Sequence, residues 1–168
     1  MINYFKKTRS EISHFKAATV FTEEEADNFI HNIHYRTWAS SQSADVRNKV
    51  IRICGRSLDE KIHFLYATEA YDATDSIINT CPTLNKDIIV YRAGKIGQKS
   101  RRYVSASLLR EIPGSHSRFV KKILLPQGTR FFPSFAFMPE SAVDSELEII
   151  IDNRYIKKHL WGYVYCKK

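Results

Sequence analysis

Up to about residue 80 the apolar residues recur at helical spacing, and beyond it they fall into short runs. Thr22 and Glu25 have the spacing of a capping box, and Ala26, Phe29, Ile30 and Ile33 follow on one helical face. A second helix is expected from about Ala44 to Cys54, with Val46, Val50 and Ile53 inward. Ser57 and Glu60 repeat the capping-box spacing. Behind them Ile62, Leu65, Ala70, Ala73 and Ile77 continue an apolar stripe to about Asn79, where Cys81-Pro82 ends it.

The period then changes. DIIVYR (87–92), RYVSAS (102–107), FVKKILL (119–125), TRFFPSF (129–135), ELEIII (146–151) and YVYC (163–166) are β-branched or aromatic runs of strand length. Gly94, Gly97, Pro113-Gly114, Pro126-Gln127-Gly128 and Asp152-Asn153 separate them as turns. Helices followed by strands define an α+β protein rather than an alternating one. No repeat, low-complexity stretch or linker divides the chain. The expectation is one domain over residues 1–168, helical to about 82 and β-rich from about 83.

Composition narrows the class. The 168 residues are 43% hydrophobic and 26% charged, which is ordinary for a folded domain and too apolar for a disordered one. No apolar run reaches the roughly 18 residues of a membrane helix, and the N-terminal MINYFKKTRSEISHFK has no apolar stretch of signal-peptide type. A cytoplasmic setting, in the producing or a target cell, is therefore expected. The three cysteines, Cys54, Cys81 and Cys166, are odd in number and widely spaced, so neither a disulfide framework nor a zinc pair is indicated. His31 and His34 have no third ligand at sensible spacing, and no metal is expected.

The charge is uneven. The net charge is +8, and the segment from Lys95 to Arg130 holds nine basic residues against one acid, Glu111. From Glu140 to Asp152 there are five acids and no base, and a basic tail from Arg154 to Lys168 follows. Basic blocks concentrate phosphates and other anions.

Three short patterns carry chemistry. Glu146 and Glu148 lie at i, i+2 in a strand run, so both carboxylates should project from one face while Leu147, Ile149 and Ile151 project from the other. Such a pair can stabilise a cationic transition state and handle a proton. Arg92 ends a strand beside Gly94, where its forked donors suit a phosphate. Ser105 and Ser107 share a face and can orient a carboxylate or a ribose. Each pattern alone is common on protein surfaces. No Walker loop, dinucleotide-binding glycine motif or nucleophile elbow is present.

Taken in order, IIVYRAG, YVSAS, FVKKILLPQGT and SELEIII resemble the mono-ADP-ribosyltransferases. More narrowly they resemble the Arg–Ser–Glu, Glu-x-Glu clade that includes cholera toxin and the actin-modifying clostridial toxins. The resemblance spans about Leu58 to Lys168. It departs from the family pattern at Arg92-Ala93-Gly94, where Arg-Gly is common, and at Ser105-Ala106-Ser107, where Ser-Thr-Ser is favoured.

The resemblance implies N-terminal helices followed by a split antiparallel β-sandwich around an NAD cleft. It implies cleavage of the nicotinamide–ribose bond of NAD, the co-substrate, through an oxocarbenium-like transition state. Glu148 would stabilise that cation, Ser105 would orient Glu148 and the ribose, and Arg92 would hold the NAD diphosphate or adenosine end. Ala93, Gly94 and Ser107 would line the NAD site, and Phe119 would stack on nicotinamide unless it is a core residue at a strand start. Glu146 would prepare the acceptor. The loop from Ser134 to Ser145 would recognise the substrate, with Phe135 buried and Phe137 near the acceptor.

Glu at position 146 goes with arginine acceptors in this family, so protein arginine ranks first. Modification of RNA or DNA bases is the alternative, favoured by the positive charge. A non-catalytic nucleic-acid-binding module is the further alternative, for which the basic segment with its Tyr103, Phe119, Phe131 and Phe132 speaks. That last reading leaves two glutamates on one strand face unexplained. A catalytic domain of this size fits a toxin, a secreted effector or a phage-type modifier. The partners expected are NAD, an acidic macromolecular acceptor and, for a self-toxic enzyme, a neutralising antitoxin or immunity protein. No membrane partner is expected.

Overall fold

The computed structural model describes residues 12–48, 68–97, 102–114, 117–137 and 147–167. Helical backbone covers α1 (12–17), α2 (Glu23–Ile30), α3 (Ile33–Ser41), α4 (44–48), α5 (Thr68–Thr80) and the single turn α6 (Glu111–Gly114). The capping box forms as the spacing requires: Thr22 Oγ1 accepts from the Glu25 N–H at 3.2 Å, and Glu25 Oε2 accepts from the Thr22 N–H at 2.9 Å. The apolar stripe behind it does not run on to Ile33. Asn32 Oδ1 accepts from the His34 N–H at 2.9 Å, which starts a new helix and leaves Ile33 71% exposed.

Residues 44–48 are helical, as expected, and Val46 packs partly buried against the core. The rest of that helix, the Ser57–Glu60 pair, Ile62 and Leu65 lie outside the described residues. The next helix ends at Thr80, ahead of Cys81-Pro82.

The strands are β1 (Ile88–Arg92), β2 (Tyr103–Ser107), β3 (Lys121–Leu125), β4 (Phe132–Pro133), β5 (Glu148–Asp152), β6 (Ile156–His159) and β7 (Gly162–Tyr165). All seven join one ladder in the order β4-β5-β2-β1-β3-β7-β6, antiparallel throughout except for the β3–β7 pair. TRFFPSF yields only two strand residues. Pro133 has no N–H for the ladder, and Ser134–Ala136 turn into a 3₁₀ helix. β6 departs from the expected turn and basic tail. Its one inward residue, Ile156, sits opposite buried Tyr165, and the return to β7 needs Gly162 at φ +148. A Cβ there would lie 2.6 Å from the Lys122 carbonyl oxygen, so only glycine fits.

Helices cover both faces. On one face Val90, Val104, Ala106, Ile123, Ile149 and Ile151 pack with Ala26, Ile30, Tyr35 and Ala39 of α2 and α3. On the other, Tyr103 and Ile150 meet Ile77 and Ile78 of α5, while Ile89, Tyr91 and Leu124 meet Phe15 of α1. The alternation along β1, β2 and β5 puts even and odd positions into separate cores. The α+β class, with helices first and strands second, is the observed one.

Candidate active site

Three neighbouring strands bring the chemistry together. The register pairs Tyr91 of β1 with Ser107 of β2, and Ser107 with Glu148 of β5. These three residues form a row across the sheet, and Arg92 follows directly on Tyr91. Directly paired residues stand only about 5 Å apart. A strand-end Arg, a Ser-x-Ser and a strand-start Glu, far apart in the chain, thus come to one level of the sheet, with Tyr91, Ser107 and Glu148 in one row and Arg92 leaving the strand end on the other face.

Arg92 is half-buried and tied down by backbone. Its Nη1 donates to the Ser105 carbonyl at 2.6 Å and its Nε to the Lys95 carbonyl at 3.2 Å. The guanidinium lies over Gly94 so closely that a Cβ on Gly94 would be 2.6 Å from Nη2. Its cross-strand partner is Lys121, whose Nζ donates to the Gly94 carbonyl at 2.9 Å. Two cations therefore stand at the C-terminal end of β1, around the Ala93-Gly94 turn. Such an end is electrostatically suited to a diphosphate.

Glu148 is 8% exposed. Ser134, fully buried, donates its hydroxyl to the Glu148 carbonyl at 2.6 Å and lies 3.1 Å from Oε2. This contact was not legible in the sequence. Register sets Ser105 opposite Ile150 and Ser107 opposite Glu148; Ser105 meets Arg92 through its carbonyl, and the Ser134 hydroxyl, just past β4 on the other side of β5, reaches the Glu148 side chain. The Ser107 hydroxyl, buried, accepts from the Leu109 N–H at 3.3 Å.

β5 starts at Glu148, and Leu147 before it has φ +41, a left-handed conformation unusual for a leucine. Glu146, the expected partner of Glu148 on one strand face, lies outside the described residues. Phe119 precedes β3 and is 81% exposed, so it is no core residue at a strand start. Phe135 is buried as expected. Phe137 is half-buried, stacked on Phe132 at 5.7 Å and edge-on to Trp38 at 5.4 Å. The rest of the expected recognition loop, 138–145, lies outside the described residues.

The basic segment is partly spent inside the fold. Arg102 pairs with Asp75 of α5 and lies 3.8 Å from Asp152, while Arg130 Nε donates to the Cys81 carbonyl at 2.9 Å. Asp152, fully buried, takes both Nε and Nη2 of Arg154, and Tyr103 donates its hydroxyl to Asp75. The neighbouring Asn153 Oδ1 accepts from the Gly97 N–H at 2.9 Å, anchoring the turn that follows Arg92. Burial pushes the Tyr103 phenol, and the Cys81 thiol on the other face, well above their ordinary ranges. Among the described residues no three His, Cys, Asp or Glu side chains converge as metal ligands.

No protein-family model matches the chain, and no curated protein matches it in sequence. Solved structures do, and the fold is that of the ADP-ribosyltransferases. One neighbour is Plx2a, an ADP-ribosyltransferase toxin from Paenibacillus larvae, at 14% identity and TM-score 0.57, over 84% of this chain and 92% of that one. Another is an ADP-ribosyltransferase from Clostridium botulinum, at 16% identity and TM-score 0.60, over 89% of this chain and 99% of that one. At these identities the similarity is one of fold.

Proposed function

We propose that this chain is an NAD-dependent mono-ADP-ribosyltransferase. The observation that carries the reading is the row Tyr91–Ser107–Glu148 with Arg92 at its end, set in this fold. NAD is a substrate here. Arg92 and Lys121 at the end of β1 bind its diphosphate, with the fork of Arg92 fixed in advance by two carbonyls. Glu148, held by Ser134, faces the nicotinamide ribose. As the glycosidic bond breaks, nicotinamide leaves with the bond electrons and positive charge develops on the ribose. A fixed carboxylate in a water-poor site stabilises that charge more in the transition state than in the ground state.

Glu146 is assigned to the acceptor, which its identity makes a protein arginine. Its carboxylate would orient the guanidinium and take the proton released when nitrogen attacks the ribose carbon. Phage-type modification, effector action or self-toxicity checked by an immunity protein all fit an enzyme acting inside a cell.

The test is NAD cleavage by the purified chain with Glu148→Gln beside it. Removing one preorganised electrostatic group costs roughly a hundredfold in rate, so the variant should lose turnover while still binding NAD. Activity near wild type in Glu148→Gln would overturn the assignment. Labelled NAD incubated with lysate, then divided between protease and nuclease, reads the acceptor class.

A further inference from the structure

At the β6 edge of the sheet, away from β5 and Glu148, lies a second surface. Strand order puts four strands between β5 and β6, which at about 4.8 Å per step separates the two by roughly 24 Å. A groove of about 450 Å³ opens there, within the range of ligand pockets. Its floor is apolar, made by Leu124, Pro126 and Val164. Its rim carries His14, Lys157, Lys158 and His159, with no acid among the lining residues. Lys157 and Lys158 are exposed on β6, the edge strand.

Beside the groove the β6–β7 turn presents Leu160 at 75% and Trp161 at 47% exposure. Lys16 of α1 places its Nζ 5.6 Å from the centre of the Trp161 ring, and His159 stacks on Phe15 at 5.2 Å. An exposed aromatic side chain with cations spaced around it and an apolar-floored groove beside it are the parts that bind unstacked bases and their phosphates. An acidic protein partner would need the cations alone. A duplex keeps its bases stacked and would use neither the groove nor the indole.

We propose that the β6–β7 edge is a second binding site and that it holds single-stranded nucleic acid, with phosphates on Lys16, Lys157 and Lys158 and a base against Trp161. The site does not depend on the NAD reading.

The test is fluorescence anisotropy of the full chain with a fluorescein-labelled oligouridylate of twelve nucleotides. Three phosphate contacts on a single strand give a log–log salt slope of about −2, so affinity should fall roughly fifteen- to twentyfold between 50 and 200 mM NaCl. Lys157→Ala with Lys158→Ala should weaken binding at least tenfold at 50 mM and flatten the slope to about −0.7. Trp161→Ala should cost roughly five- to a hundredfold and leave the slope in place. Arg110→Ala with Arg118→Ala, exposed bases of the other basic segment, should change nothing. No binding, an unchanged slope in the double lysine variant, an unaffected Trp161→Ala, loss in the Arg110/Arg118 control, or equal competition by polyglutamate would each overturn the proposal.

Discussion

Gly94→Ala adds one methyl group, and its consequence is worked from the contacts of Arg92. The new Cβ would stand 2.6 Å from Nη2 and 3.0 Å from Cζ of Arg92. The clash is with the far end of a flexible side chain, so the guanidinium moves and the backbone stays. Arg92 then loses its bonds to the Ser105 and Lys95 carbonyls. Hydrogen bonds from a charged donor contribute about 1.5–3 kcal/mol each. The half-buried guanidinium regains water, which reduces the loss, and the alanine returns about 0.4–1 kcal/mol through the unfolded chain. The net cost should be about 1–2 kcal/mol, a fall in Tm of roughly 2–8 °C for a chain of this size. The effect on NAD should be much larger, because displacing a positioning group by about 1 Å can cost about a hundredfold. Calorimetric NAD binding and initial rates of nicotinamide release, beside thermal melts, measure both. Turnover within twofold of wild type would show that the fixed pose of Arg92 is not needed. A fall in stability beyond about 4 kcal/mol would show that the methyl group disturbs more than Arg92.

Ser134→Ala should lower NAD turnover about tenfold, and Ser134→Thr should restore most of it, since threonine keeps the hydroxyl that meets Glu148; equal activity in all three would remove Ser134 from the site. Glu146→Gln should reduce transfer to a macromolecule far more than hydrolysis of NAD by water, and equal loss of both would make the two carboxylates one unit. Burial pushes the Cys81 thiol up to about 12 and raises the phenols of Tyr35, Tyr103 and Tyr165. Their unfolded counterparts ionise near 8.5 and 10, so this contribution to stability is complete below about pH 8.5 and is lost as pH climbs through 10 and above. A melting temperature that stays flat from pH 8 to 11 would refute it, as would buried tyrosines that ionise at 295 nm without unfolding.

What the chain discloses of itself follows the range of each interaction. The Thr22–Glu25 box is local, and it forms as its spacing dictates. β1 and β5 were readable because sheets buried on both faces need near-continuous apolar runs, which IIVYR and EIIID supply, and β2 by the Tyr103-Val104 start and the alternating serines of YVSAS. Arg92, Ser105 and Glu148 were legible as an ordered set of motifs. The partner of Glu148 was not, because a proline and a 3₁₀ turn, features of the tertiary path, carry Ser134 beneath it. β6 has a single apolar residue inward, too little periodicity to announce a strand. The left-handed Leu147 runs against its own local preference, so the residue sequence could not announce the turn of the chain just ahead of β5.

Strand order also fixes when the site can exist. β5 lies between β4 and β2, and its partner β2 is made long before it. A chain emerging from the ribosome holds Arg92 and both serines while Glu148 has yet to be translated, and pairing of such distant segments is slow. Competence for the proposed reaction would therefore arrive late in synthesis and all at once, after the rest of the sheet's central strands are already made.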